Sequence, residues 1–146
     1  MLLCVYVYNF NRFLMENKSN EATALRPEGD RVLNAALVEM DLNKFMQQIK
    51  SETTWQSSGH NSITIFKSDE LRIVLIGLHE NATLKPHSAQ ANISVQVLEG
   101  AIKFITDSES VSLSKGQMIA LQSSITHSVE AQSESFILLT VASLKT

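Results

Sequence analysis

The chain has little of what most site signatures are built from. Its 146 residues hold one cysteine, two prolines, one tryptophan and five glycines. A lone cysteine, Cys4, cannot close an internal disulfide, and this suits a reducing, cytoplasmic setting. No glycine-rich loop with Rossmann or P-loop spacing occurs, and no HExxH metal motif. Lys and Arg number 12 against 15 Asp and Glu, for a net charge of −3. The cations form no run, so the clustered positive charge that a nucleic acid needs is missing. Nor is there an apolar stretch of bilayer length. Residues 2–8, Leu-Leu-Cys-Val-Tyr-Val-Tyr, are too short to span, and they lack the basic flank and small-residue cleavage site of a secretory signal. Neither a nucleic acid nor a membrane is expected as a partner.

What is present fits one globular domain: 44% apolar residues in a chain long enough to bury a core without covalent staples. Residues 1–20 read as an extension. The first fourteen are either an added strand or an over-long reading frame whose natural start is Met15, and the polar residues after Met15 read as a mobile terminus. Residues 26–61 form a second section. It holds a turn at Arg26-Pro27-Glu28-Gly29-Asp30, an expected edge strand over 31–40, and a short helix. Asp41 is placed to cap that helix, and Leu42, Phe45, Met46 and Ile49 recur at helical spacing on one face. Residues 51–59 read as a polar loop around Trp55.

From residue 62 onward the pattern becomes short strands separated by turn residues. They are expected over 62–67, 71–79, 93–98, 101–106, 110–113, 117–121, 127–131 and 135–142. Such spacing indicates an all-β sandwich or barrel. Two segments within it run strand, turn, strand and place a histidine at equivalent points, His87 and His127, forty positions apart. In the strand after the first histidine, Ile93, Val95 and Val97 share one face by alternation, and Gln96 takes the other.

These two segments resemble the paired motifs of the cupin superfamily, over about 62–142. The first motif is a glycine, five residues, His-x-His, three or four residues, a glutamate, six residues and a glycine. Here Asn81, His87, Ala89, Ile93 and Gly100 stand at those places. The second is a glycine, five residues, Pro-x-Gly, two residues, a histidine, three residues and an asparagine. Here Gly116, Gln122, Ser124, His127 and Ala131 stand there. The resemblance implies a small stand-alone cupin with an RmlC-like jelly roll: a double-stranded β-helix closed as a barrel, a pocket at one end, and one short helix ahead of it. Asn81 and Gly100 would occupy left-handed turn positions.

The resemblance also implies a site of three histidines and a glutamate for Fe, Zn, Mn, Ni or Cu. Only His87 and His127 remain of that set, since Ala89 and Ile93 cannot ligate. His79, before the turn that leads to His87, is the candidate third ligand; His60 is more remote. The expected pocket is lined by His87, His127, Ala89, Ile93, Val95, Phe104 and Met118. Beside this stands the plainer reading of hydrogen-bonded histidines in a filled core, with Phe104, Val95 and Met118 as packing residues and Trp55 as a core or lid aromatic. Three functions compete. One is a binding module for a small molecule, with a weakly held divalent metal or none. Another is a metal-dependent oxygenase or isomerase with a reduced ligand set. The third is a sensor or interaction domain. A homodimer is expected, with residues 31–40 adding to a neighbour's sheet edge.

Overall fold

The structure is a computed structural model that describes residues 17–143. Eleven strands and two helices follow in the order β1 (Lys18–Asn20), β2 (Arg31–Asn34), α1 (Leu42–Ser51), α2 (Thr53–Ser57), β3 (His60–Lys67), β4 (Leu71–Leu78), β5 (Thr83–His87), β6 (Ala91–Glu99), β7 (Ala101–Thr106), β8 (Ser110–Ser114), β9 (Met118–Leu121), β10 (His127–Ala131) and β11 (Ser135–Ser143). A five-stranded sheet in the order β3-β4-β11-β6-β9 faces a four-stranded sheet in the order β5-β10-β7-β8. All neighbours within each sheet are antiparallel.

Six links carry the chain between the sheets, and four of them lie at one end: β4 to β5, β6 to β7, β8 to β9 and β10 to β11. They occur in the same order along both sheets, so β4 lies over β5, β11 over β10, β6 over β7 and β9 over β8. All four close one end of the roll. The opposite end is ringed by the loops 68–70, 88–90, 107–109 and 122–126. We call it the mouth.

Alternation fills the roll. Ile76, Leu78, Ile93, Val95, Val97 and Ile137 from one sheet meet Ile102, Phe104, Leu113, Val129 and Ala131 from the other in a single buried cluster. The closed end is the dry one. There Ile76, Ile137 and Val97 pair across three strands and are all buried. In the row nearest the mouth Ile93 is still buried, but Val141 and Leu121 on either side of it are only partly so.

Two positions require unusual backbone. Gly100 turns the β6–β7 link at φ 84°, and a β-carbon there would strike the Glu134 carbonyl oxygen and the Ser135 hydroxyl. Asn81 sits at φ 66°, in the left-handed region expected of it. Ser124, where the resembling motif carries glycine, holds φ 66° as well.

The helices cover the outer face of the five-stranded sheet. Asp41 caps α1, its carboxylate accepting from the Lys44 amide at 3.1 Å. The α1 stripe of Leu42, Phe45, Met46 and Ile49 packs with Trp55, Ile63, Ile65, Leu75 and Phe136. Gly77 of β4 lets them approach, since a β-carbon there would meet Phe136, Ile49 and Trp55 side chains at 2.8–3.0 Å.

The second section departs from expectation in three ways. The strand over 31–40 stops at Asn34. Residues 53–57, read as loop, form α2 because Trp55 buries against the sheet and fixes the turn around it. Lys18–Asn20, read as mobile, pair with Arg31–Asn34. This flap is tied down by Arg26, whose guanidinium grips the buried Glu52 carboxylate through Nε and Nη2 at 2.9–3.1 Å and donates to the Ser62 carbonyl at 2.7 Å. Asn61 Nδ2 and Gln48 Nε2 also donate to Glu52, at 3.0 and 3.3 Å. Burial pushes the Glu52 pKa up, but the hydrogen bonds from Arg26, Asn61 and Gln48 outweigh it and hold the carboxyl below its usual range. Arg31 donates to the Thr64 and Gly29 carbonyls; its own burial, with Arg26 nearby, lowers its pKa against the pull of Glu52. Residues 1–14 lie outside the described residues.

Candidate functional site

His87 ends β5 and His127 begins β10, and the two are register partners at the mouth. Edge strand β5 tolerates Pro86, which cannot donate to a ladder. The imidazole centroids stand 4.4 Å apart, with the planes tilted by 59°. His127 is buried and stacks on Phe104 at 5.4 Å, whereas His87 is exposed.

Both rings are oriented in the same way. His87 Nδ1 lies 2.8 Å from the Lys85 carbonyl oxygen, and His127 Nδ1 lies 2.9 Å from the Ile125 carbonyl oxygen. A carbonyl oxygen only accepts, so each Nδ1 carries the proton. In the neutral ring each Nε2 then presents a lone pair. Among the described residues no buried side-chain nitrogen or oxygen lacks a partner. The His127 Nε2 makes no hydrogen bond, so it reaches solvent through the mouth although the residue is only 5% exposed.

Ile93 and Val95 point inward beside the pair, and Phe104 backs His127. Ala89 lies in the 88–90 loop, where its carbonyl accepts from the Ser124 amide at 2.8 Å and joins the two loops that cross the mouth. Met118 faces away from the barrel interior. It pairs with Gln96, which faces away from the barrel, and it is 54% exposed; the inward residues of β9 are Ile119 and Leu121, pairing with Val95 and Ile93. The sequence misplaces Met118 because a four-residue strand has too few positions to show its own alternation.

His79 does not join the pair either. Its ring stacks on Trp55 at 3.7 Å, and its Nε2 lies 2.8 Å from the Trp55 carbonyl oxygen, so it fastens α2 to the outer side of the barrel. His60 starts β3, opposite Leu78 at the closed end. Among the described residues no group of three or more His, Cys, Asp or Glu is placed to hold a metal ion. Two imidazoles beside the hydrocarbons of Ala89 and Ile93 do not fit a three-histidine, one-glutamate centre.

No family model and no curated protein matches the chain. Solved structures do. A conserved protein of unknown function from Streptococcus pyogenes is 25% identical, with 77% of this chain and 91% of that one covered, at a TM-score of 0.62. A cupin-2 domain containing protein from Shewanella frigidimarina is 14% identical over 70% and 93% of the two chains, at 0.58. A cupin superfamily protein from Desulfitobacterium hafniense is 13% identical over 58% and 78%, at 0.57. Two facing antiparallel sheets, crossed in the same strand order and matched to these structures, establish that this chain has the cupin fold.

Proposed function

We propose that the chain binds a small organic molecule at the barrel mouth, with His87 and His127 as its polar anchors and Ile93, Val95 and Phe104 beside them. One observation carries this reading. Both imidazoles are locked by backbone carbonyls so that their Nε2 atoms are left without partners among the described residues, at the end of the roll where Val141 and Leu121 are only partly buried. A few oriented polar groups over an apolar lining is the usual make-up of a small-molecule site. The chemistry such a pair supplies is acceptance of a hydrogen bond at each Nε2.

The metal-enzyme reading is the weaker one, because the donor set stops at two. Elemental analysis together with native mass spectrometry of protein purified without added metal tests both. We expect transition metal well below one ion per chain, unchanged in His87→Ala, and a small organic adduct lost in His127→Ala. Stoichiometric metal that disappears in both variants would replace the binding-module reading with the enzyme.

A further inference from the structure

The ladder places two cations where a ligand in the mouth would meet them. In β4 the inward residues are Val74, Ile76 and Leu78, while Ile73 and Leu75 face the helices. Arg72 has the inward parity and pairs directly with Val141, itself part of the barrel lining. Residues directly opposite in an antiparallel pair project to the same face. On its other side Arg72 pairs with Lys67, because an irregularity between Thr64 and Phe66 re-registers the end of β3. Two like charges therefore stand directly opposite on the inner rim, an arrangement that costs stability. The intervening turn carries Asp69 and Glu70, yet neither Arg72 nor Lys67 forms an ion pair with a described residue.

Across the roll from this rim lie the histidines. Since β4 covers β5, the mouth end of β4 with Arg72 faces the mouth end of β5 with His87. Packed sheets are about 10 Å apart. The rest of Arg72's row, along its own sheet, is hydrocarbon: Val141, then Ile93, then Leu121. The mouth thus offers a cationic corner, two hydrogen-bond acceptors on the facing sheet and an apolar row beside them.

We propose that Arg72, with Lys67 beside it, is the anion-reading side of this mouth, and that the ligand is an organic acid with a short apolar stem and a hydrogen-bond donor at its far end. The carboxylate lies against the guanidinium, which suits its planar fork. A hydroxyl or amine donates to Nε2 of the histidines, and the stem lies against Val141 and Ile93, beside Arg72 in its row. The inference rests on the binding reading above and adds the ligand's class to it.

Three matched probes test it: 6-hydroxyhexanoate, hexanoate and 1,6-hexanediol. Each is titrated into the full chain while the imidazole Cε1–Hε1 resonances are followed by NMR. The hydroxy acid is expected to bind most tightly and to move both ring signals. Arg72→Gln should weaken it about tenfold, to the level of the diol, as loss of a charge-assisted pair would. Lys103→Gln, on the outward face of β7, should leave its binding unchanged. Because Arg72 is exposed, its variant is expected to fold, and a thermal melt verifies that. Equal binding of the acid and the diol, or an Arg72→Gln variant that binds like the parent, overturns the anion side while leaving the histidine pocket standing. If no probe moves either imidazole, the pocket and its anion side fall together.

Discussion

The molecule handles polar groups in two opposite ways. Beneath the flap the Glu52 carboxylate is buried, and Arg26, Asn61 and Gln48 all donate to it. At the mouth two imidazole edges are held in place, and two exposed cations stand near them, with no partner among the described residues for their outward atoms. The first arrangement spends its polar groups on holding the flap and the helices to β3. The second leaves the same kind of group available. The difference is one of place as well as completion: Glu52 is buried where α1 passes into α2, whereas His87, Arg72 and Lys67 are exposed at strand ends. It teaches that a site is found by asking which oriented polar atoms the fold declines to satisfy.

The largest expected effect breaks the satisfied cluster. Arg26→Ala strips the hydrogen-bonded guanidinium from a carboxylate that is 3% exposed, while Arg26 itself is 21% exposed. Removing one member of a buried pair leaves an uncompensated charge, so a loss of about 3 kcal/mol is expected in urea unfolding. A loss below about 1 kcal/mol would class the pair with ordinary surface bridges and erase the contrast.

Acid should find the same cluster next. The Glu52 pKa is lowered in the folded state, so its contribution is present above the unfolded value of about 4.3 and is lost as pH falls through the folded value. The acid limb below about pH 4 should therefore be shallower in Glu52→Gln than in the parent, whatever the variant's stability at pH 7. Identical acid limbs would show that another group carries the titration.

How much of this was legible in the sequence follows the same division. Strands 101–106 and 127–131 are legible at their observed bounds, because turn residues bracket each short run. Asn81 and Gly100 were legible because few residues accept a positive φ. The pairing of His87 with His127 came from motif spacing. The Glu52 cluster was invisible: its members lie as far as 26 positions apart, and each alone looks like an ordinary surface polar residue. Arg72 was hidden for a related reason. Its inward parity appears only once the register with Val141 is known. His79 was misassigned because nearness in sequence to the mouth strand says nothing about which side of the sheet a ring takes.

The smallest stability effect is the most telling. If the mouth groups are kept for a ligand, removing them should cost binding out of proportion to folding. His127→Ala loses a buried ring stacked on Phe104 and should cost about 1–2 kcal/mol. His87→Ala removes an exposed ring whose only hydrogen bond is to its own strand, and should stay within about 0.5 kcal/mol of the parent. Yet both should abolish the retention of a small organic adduct to the same degree, since each supplies one of the two free Nε2 atoms. A His87→Ala loss well above 1 kcal/mol, with ligand retention intact, would move His87 into the company of Glu52: a group the fold itself consumes.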